Sequence, residues 1–280
     1  MKKIFNVLLI ILLSLCVFGC SGNKTDDPSG NNNAPEGNTA KEDEWLCTKE
    51  TYYYSDGSID HYVVNNYDAG GNFFTMEEYD GDNNLISSGK SEYDEKGRET
   101  LYQQYYDDGE LDYSCEYEYD DKDRVIRETY FYGDGSPADY VAYEYDERGN
   151  TIRVEETTED GFLSYLAETE YDEKDRTVKA HYTFYGYDEW TYVYEYEGEN
   201  EGQIKTTMYN SDNTIGQIAY YSYNEQNPKL VDSIKLCDGE DNLMYLYEFR
   251  YDEHGNEVSD AMFDPQGNMI QMSEYEYKKK

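Results

Sequence analysis

Chemistry in this chain would have to come from three histidines, five cysteines and an excess of carboxylates. His254 fills the slot that Lys96 and Arg148 occupy in sister stretches, so it reads as an exposed turn residue. His61 and His181 have no Cys or Ser at a recognisable catalytic spacing and read as strand or surface residues. Beyond Cys20, the cysteines are Cys47, Cys115 and Cys237, an odd set at unrelated places, which favours buried free thiols over a disulfide framework. A nucleophilic role would need a neighbouring base, and the sequence shows none. Glycoside hydrolysis needs two carboxyl groups across a pocket, one of them desolvated, and nothing singles out two among 62 acidic residues. Asp80-Gly81-Asp82-Asn83-Asn84, Asp107-Asp108-Gly109 and Asp238-Gly239-Glu240-Asp241-Asn242 offer oxygens to calcium. They lack EF-hand spacing, and turn formation accounts for them. The expectation is a chain without catalytic residues, metal or cofactor.

Tyrosine is the remaining resource, with 35 residues. The pairs Tyr117 and Tyr119, Tyr143 and Tyr145, and Tyr194 and Tyr196 are each separated by one acidic residue. Rows of such rings can stack on sugars, with repetition adding avidity. Equally, they can be the core of a protein with few aliphatic alternatives. Both readings stay open at this level.

The elements that would carry these rings follow from a repeat. Tyr145-Asp146-Glu147-Arg148-Gly149-Asn150 returns as Tyr93-Asp94-Glu95-Lys96-Gly97-Arg98 and as Tyr251-Asp252-Glu253-His254-Gly255-Asn256, and equivalent tyrosines recur every 25 to 28 residues from Tyr67 to Tyr277. A fixed period of this size signals a repeat architecture. Alternation as in Val141-Ala142-Tyr143-Glu144-Tyr145 is the period-2 pattern of a strand with one aromatic and one charged face. Four residues after the tyrosine stands Gly71, Gly97, Gly149 or Gly255, or Asp123 or Asp175, all suited to a tight reversal. A weaker copy, as in Tyr106-Asp107-Asp108-Gly109, lies half a period on, so each unit is a hairpin handed to the next. The expected fold is all-β, an antiparallel hairpin meander of roughly 16–18 strands over residues 45–280. It should form a curled or spiral sheet, tyrosine inside and carboxylates outside, with a flat extended sheet as the alternative.

These units resemble the YD repeats, the tyrosine-aspartate repeats of the Rhs and teneurin class and of shorter bacterial surface lipoproteins. The likeness covers the array from about residue 46 and is strongest at Tyr93–Arg98, Tyr145–Asn150 and Tyr251–Asn256. It weakens at Tyr196-Glu197, which loses the aspartate, and at Tyr223-Asn224, which loses the glycine. In large Rhs proteins such repeats wind into a shell around a toxin domain. Only the wall is resembled here, so no toxin-carrier role is implied.

Residues 1–19 read as a secretion signal, two lysines followed by an apolar run. Val17-Phe18-Gly19-Cys20 resembles the lipobox of bacterial lipoproteins, which implies lipidation of Cys20, although Phe18 departs from the small residue usual there. Residues 20–44 have the composition of a disordered linker. The formal net charge of -39 makes nucleic acid an unsuitable partner. The expectation is thus a non-enzymatic protein of the bacterial cell envelope, held extracytoplasmically on the outer membrane or cell surface through its lipid. It would act as a scaffold or as an adhesion or binding module for a glycan or protein. The alternative is a carbohydrate-binding accessory of a glycan uptake system.

Overall fold

The computed structural model describes residues 45–197 and 202–280. The expected signal peptide (1–19), lipidated Cys20 and linker (20–44) lie outside the described residues. The chain forms β1 (Trp45–Tyr54), β2 (Ile59–Tyr67), β3 (Phe73–Asp80), β4 (Leu85–Tyr93), β5 (Glu99–Tyr106), β6 (Leu111–Tyr119), β7 (Val125–Tyr132), β8 (Pro137–Tyr145) and β9 (Thr151–Thr157). It continues through β10 (Leu163–Tyr171), β11 (Thr177–Phe184), β12 (Asp188–Tyr196), β13 (Gln203–Asn210), β14 (Ile215–Tyr223), β15 (Val231–Asp238), β16 (Leu243–Tyr251), β17 (Glu257–Phe263) and β18 (Met269–Lys279).

Each strand pairs antiparallel with the next, as the hairpin reading requires, and the count of 18 among the described residues falls at the top of the expected range. The last pairing corrects that reading. β1 runs against β18 from Trp45 opposite Lys279 to Tyr54 opposite Gln271, so the sheet is neither spiral nor extended but a closed barrel. Two open edges would each present a row of unpaired backbone groups, and joining them satisfies both. Nothing periodic in a sequence reports whether its first and last units meet. Among the described residues each strand packs against its two neighbours alone, so the wall is a single layer.

The reversals explain the repeat chemically. In Tyr93–Arg98, the Asp94 amide donates to the Arg98 carbonyl at 2.9 Å and the Gly97 amide to the Asp94 carbonyl at 3.0 Å. The Asp94 carboxylate accepts from the amides of Lys96 and Arg98, and these bonds, the Arg98 amide's foremost, hold its pKa below the usual carboxylate range. Gly97 sits at φ 80°, and Asp123 and Asp175 take the same left-handed conformation in their own turns at 62° and 61°. A register shift lies between Glu92 and Tyr93, which is the bulge of a three-residue hairpin loop and adds the twist that closes the wall.

Signature turns of this kind gather on one rim, and the half-repeat turns on the other. The chain enters at the signature rim: Trp45 faces Lys279 and stacks on His254 of the β16–β17 turn at 4.6 Å.

Tyrosine lines the inner face, as expected. Val154, Ala167, Ala180, Tyr182, Tyr192, Tyr194 and Met208 form one buried cluster, and Ala219, Tyr221, Ile234, Leu236, Tyr247, Phe249 and Met262 a second. The strand pattern places carboxylates outside only, and here a second correction is needed. Glu99, Glu128 and Glu257 are buried, and Glu128 lies opposite Tyr117 on the inner face. Tyrosine makes this possible by donating hydroxyls: Tyr130 and Tyr143 reach Glu128 at 2.7 and 2.8 Å, and Tyr275 reaches Asp260 at 2.6 Å.

The outer face is charged. Glu116, Glu118, Glu168, Glu170, Glu274 and Glu276 are exposed on it, and cross-strand pairs such as Lys179–Glu170 and Lys205–Glu195, both 2.9 Å, run along it. A barrel that crosses a bilayer needs an apolar outer band instead.

Candidate functional site

Each sequence-predicted tyrosine lies on the inner wall. Tyr119, Tyr145 and Tyr196 donate their hydroxyls to the carbonyls of Glu99, Val125 and Thr177 at 2.6, 2.5 and 2.7 Å. These carbonyls belong to the first residue of the preceding strand, so each ring spans a hairpin and pins its open end. Tyr67, Tyr171, Tyr223 and Tyr251 repeat the contact with Cys47, Thr151, Gln203 and Val231. Tyr143 donates to Glu128, Tyr194 is buried with Tyr182 as its partner, and Tyr117 sits among Cys115, Glu99 and Glu128. Burial pushes the Tyr119 and Tyr196 hydroxyls up to about 12. All six are therefore engaged within the wall.

Cations complete this arrangement at the signature rim. The guanidiniums of Arg98, Arg124 and Arg176 lie 4.6, 4.3 and 4.5 Å from the ring centres of Tyr119, Tyr145 and Tyr196. The same arginines pair with Asp94, Asp120 and Asp172 in their own turns. Lys96 and Arg98 both reach Asp123 of the next turn at 2.7 Å, and Arg148 reaches Asp175 at 2.6 Å.

The half-repeat rim is built differently. None of its turns contains lysine, arginine or histidine, whereas Asp56, Asp82, Asp107, Asp108, Glu110, Asp134, Glu159, Asp160, Asp212, Glu240, Asp241 and Asp264 all stand there. Exposed aromatic side chains concentrate at the same rim: Tyr54, Tyr106, Tyr132, Phe162, Tyr185 and Tyr187, of which Tyr187 is 79% and Phe162 71% exposed. The β11–β12 turn closes with the Tyr187 amide on the Phe184 carbonyl at 3.0 Å, Gly186 at φ 84° allowing the reversal. The Tyr185 amide donates to the Ser164 carbonyl at 3.0 Å, which ties this turn to β10, the strand that Phe162 leads into. Below, Phe184 stacks on Trp190 at 5.1 Å and meets Tyr165 at 4.8 Å. A shallow open groove runs past Tyr185, Tyr187, Asp188 and Glu189 to Ser211.

Elsewhere the reactive side chains are occupied structurally. His61 stacks on Tyr52 at 4.3 Å, and His181 contacts Thr191 at 2.9 Å. His254 is the exposed turn residue expected of it. Cys115 and Cys237 are buried free thiols, and burial raises the Cys115 thiol to about 12. Cys47 is buried but differs from expectation in not being a free thiol. The acidic turn clusters spend their carboxylates on amides, Asp80 on Asp82 and Asn84, Asp238 on Glu240 and Asn242. Among the described residues no three His, Cys, Asp or Glu side chains are placed to hold a metal ion. Burial, with the Asp260 charge added, pushes Glu257 up to about 8. Nothing in the sequence separates this glutamate from its exposed counterparts.

No protein-family model matches the chain, and no curated protein does. Solved structures give faint likenesses. A porin-like protein from Bacteroides uniformis is 11% identical with a TM-score of 0.46, covering 83% of this chain and 98% of that one. A porin-like protein from Bacteroides vulgatus is 12% identical with a TM-score of 0.33 and the same coverage. The Photorhabdus luminescens Tc holotoxin pore is 14% identical with a TM-score of 0.34, over 72% of this chain. This chain spans 13% of that toxin chain. At such scores the likenesses carry nothing about what the chain does.

Proposed function

We propose that this chain is a lipid-anchored, non-enzymatic protein of the bacterial cell envelope, whose barrel is a water-exposed scaffold that presents a binding or adhesion surface. The observation that carries the reading is the opposition of the two rims. The chain enters the barrel at the signature rim, beside His254, and the exposed aromatic residues other than Phe74 stand at the other end. A tether from Cys20 thus leaves those aromatic residues facing outward from the membrane. The charged outer wall supports a barrel in water rather than in lipid. Wall tyrosines and turn carboxylates are engaged in holding the structure, which supports a role without catalysis.

The test is to express the full chain and its Cys20→Ser variant. The reading expects the first in the membrane fraction and the second released; equal release of both would contradict it. A second reading, carbohydrate binding in a glycan uptake system, draws on Tyr187 and Phe162, since exposed rings can stack on sugars. Saturable quenching of aromatic fluorescence by a neutral polysaccharide would favour it.

A further inference from the structure

We infer that the half-repeat rim is a docking surface for a basic polypeptide, one whose lysine and arginine side chains enter between the rings of Phe162, Tyr185 and Tyr187 and the turn carboxylates beside them. The inference deepens the binding-module reading above by naming the partner.

The signature rim supplies the reason, because it shows what this chain does with a tyrosine ring next to a turn aspartate. There Arg98 lies over Tyr119 while pairing with Asp94, and Arg124 and Arg176 do the same with Tyr145 and Asp120 and with Tyr196 and Asp172. The half-repeat rim carries the same two components, aromatic rings and aspartates in hairpin turns, and lacks the third. Tyr185 and Tyr187 flank Gly186 and are followed by Asp188 and Glu189, and Phe162 follows Glu159 and Asp160. An incoming guanidinium or ammonium would complete at this rim what arginine completes at the other. A neutral sugar could use the rings but would gain nothing from the charge. An anionic polymer would be repelled by it.

Exposed rings of this size are the residues that dominate binding surfaces when they become covered. Beneath them Phe184 stacks on Trp190, and the Tyr185 amide donates to the Ser164 carbonyl. A chain with this net charge attracts any polycation, so the charge must be separated from the site.

The test uses the full chain and a twelve-residue peptide alternating arginine and glycine, titrated by calorimetry at physiological ionic strength. Phe162→Ser with Tyr187→Ser removes the rings and leaves the charge unchanged; Glu116→Gln with Glu118→Gln removes two charges from the outer wall. Both pairs are exposed, and matching thermal melts confirm that each variant folds. The expected result is at least tenfold weaker binding by the rim variant and less than twofold change in the wall variant. Equal weakening by both, or no loss in the rim variant, would reduce the interaction to general electrostatics and overturn the inference. So would saturable binding of a neutral glucan that depends on the rings while peptide binding does not. Equal release of the full chain and its Cys20→Ser variant would leave this result untouched, so the two readings fail separately.

Discussion

The hydroxyl of Tyr119 donates a 2.6 Å hydrogen bond to the carbonyl oxygen of Glu99, twenty residues earlier in the chain, and closes the open end of the β5–β6 hairpin. Repeated around the barrel, this contact is why the tyrosine recurs, and the aspartate after it recurs because it caps the turn. Tyr119→Phe keeps the ring under Arg98 and removes only the bond, so it should cost about 1 kcal/mol. Tyr119→Ala removes the ring as well and should cost about 3–5 kcal/mol. Urea unfolding of the two variants checks both numbers: an unchanged Tyr119→Phe would show that the hydroxyl contributes nothing, and equal losses that the ring contributes nothing.

Gly97 turns at φ 80° with open space where a Cβ would stand, so Gly97→Ala isolates backbone strain. The expected loss is about 1–2 kcal/mol. Asn213 holds the same conformation at φ 63°, and Asn213→Gly should move stability the other way, by up to about 1 kcal/mol. Thermal melts should place the two variants on opposite sides of the parent.

Glu257 sets a pH dependence. Buried beside Asp260, it keeps its proton up to about pH 8 in the folded chain, while the unfolded chain releases it from its ordinary 4.5. Between those values the folded state holds more protons, so this group's contribution to stability falls as pH rises and levels off above about 8. Glu257→Gln removes the dependence. The variant should be near the parent at pH 4 and more stable at pH 9, by a few kcal/mol at most, because each tenfold difference in proton affinity between the two states is worth on the order of 1.4 kcal/mol. A constant gap across that range would contradict the burial of an uncharged Glu257.

Cys115 should be chemically silent. Burial holds its thiol up to about 12, and alkylation proceeds through the thiolate. Iodoacetamide at pH 8 should leave it unmodified in the native chain and modify it fully in denaturant, as read by mass spectrometry. Rapid native labelling would show that the wall at β6 opens.

The strands, the turns and the inward tyrosines are legible in the sequence because each obeys a local rule: period-2 alternation, a residue tolerant of positive φ, an aromatic face that seeks cover. Gly97, Asp123 and Tyr145 can all be placed from spacing. What escapes is relational. The meeting of Trp45 with Lys279 depends on curvature summed over every hairpin, to which no single repeat testifies. Glu99, Glu128 and Glu257 look like their exposed neighbours, and only the register opposite tyrosines such as Tyr117 reveals that they face inward. The contrast between rims is written in the turns, since Lys96, Arg98, Arg124 and Arg148 follow signature tyrosines and no cation follows Tyr54, Tyr106 or Tyr132 within their turns. It becomes meaningful only when alternate turns are known to share an end.

Closure is the claim on which the rims, the inner wall and the docking surface depend, and one distance tests it. Lys49 of β1 and Glu276 of β18 face each other on the outer wall, 3.8 Å apart at their charged ends. Spin labels at Lys49→Cys and Glu276→Cys, measured by double electron–electron resonance, should report a separation below about 20 Å if the first and last strands pair at the usual spacing of ~4.8 Å. An open array of these strands would hold the labels roughly 80 Å apart at that spacing, and such a distance would contradict the barrel.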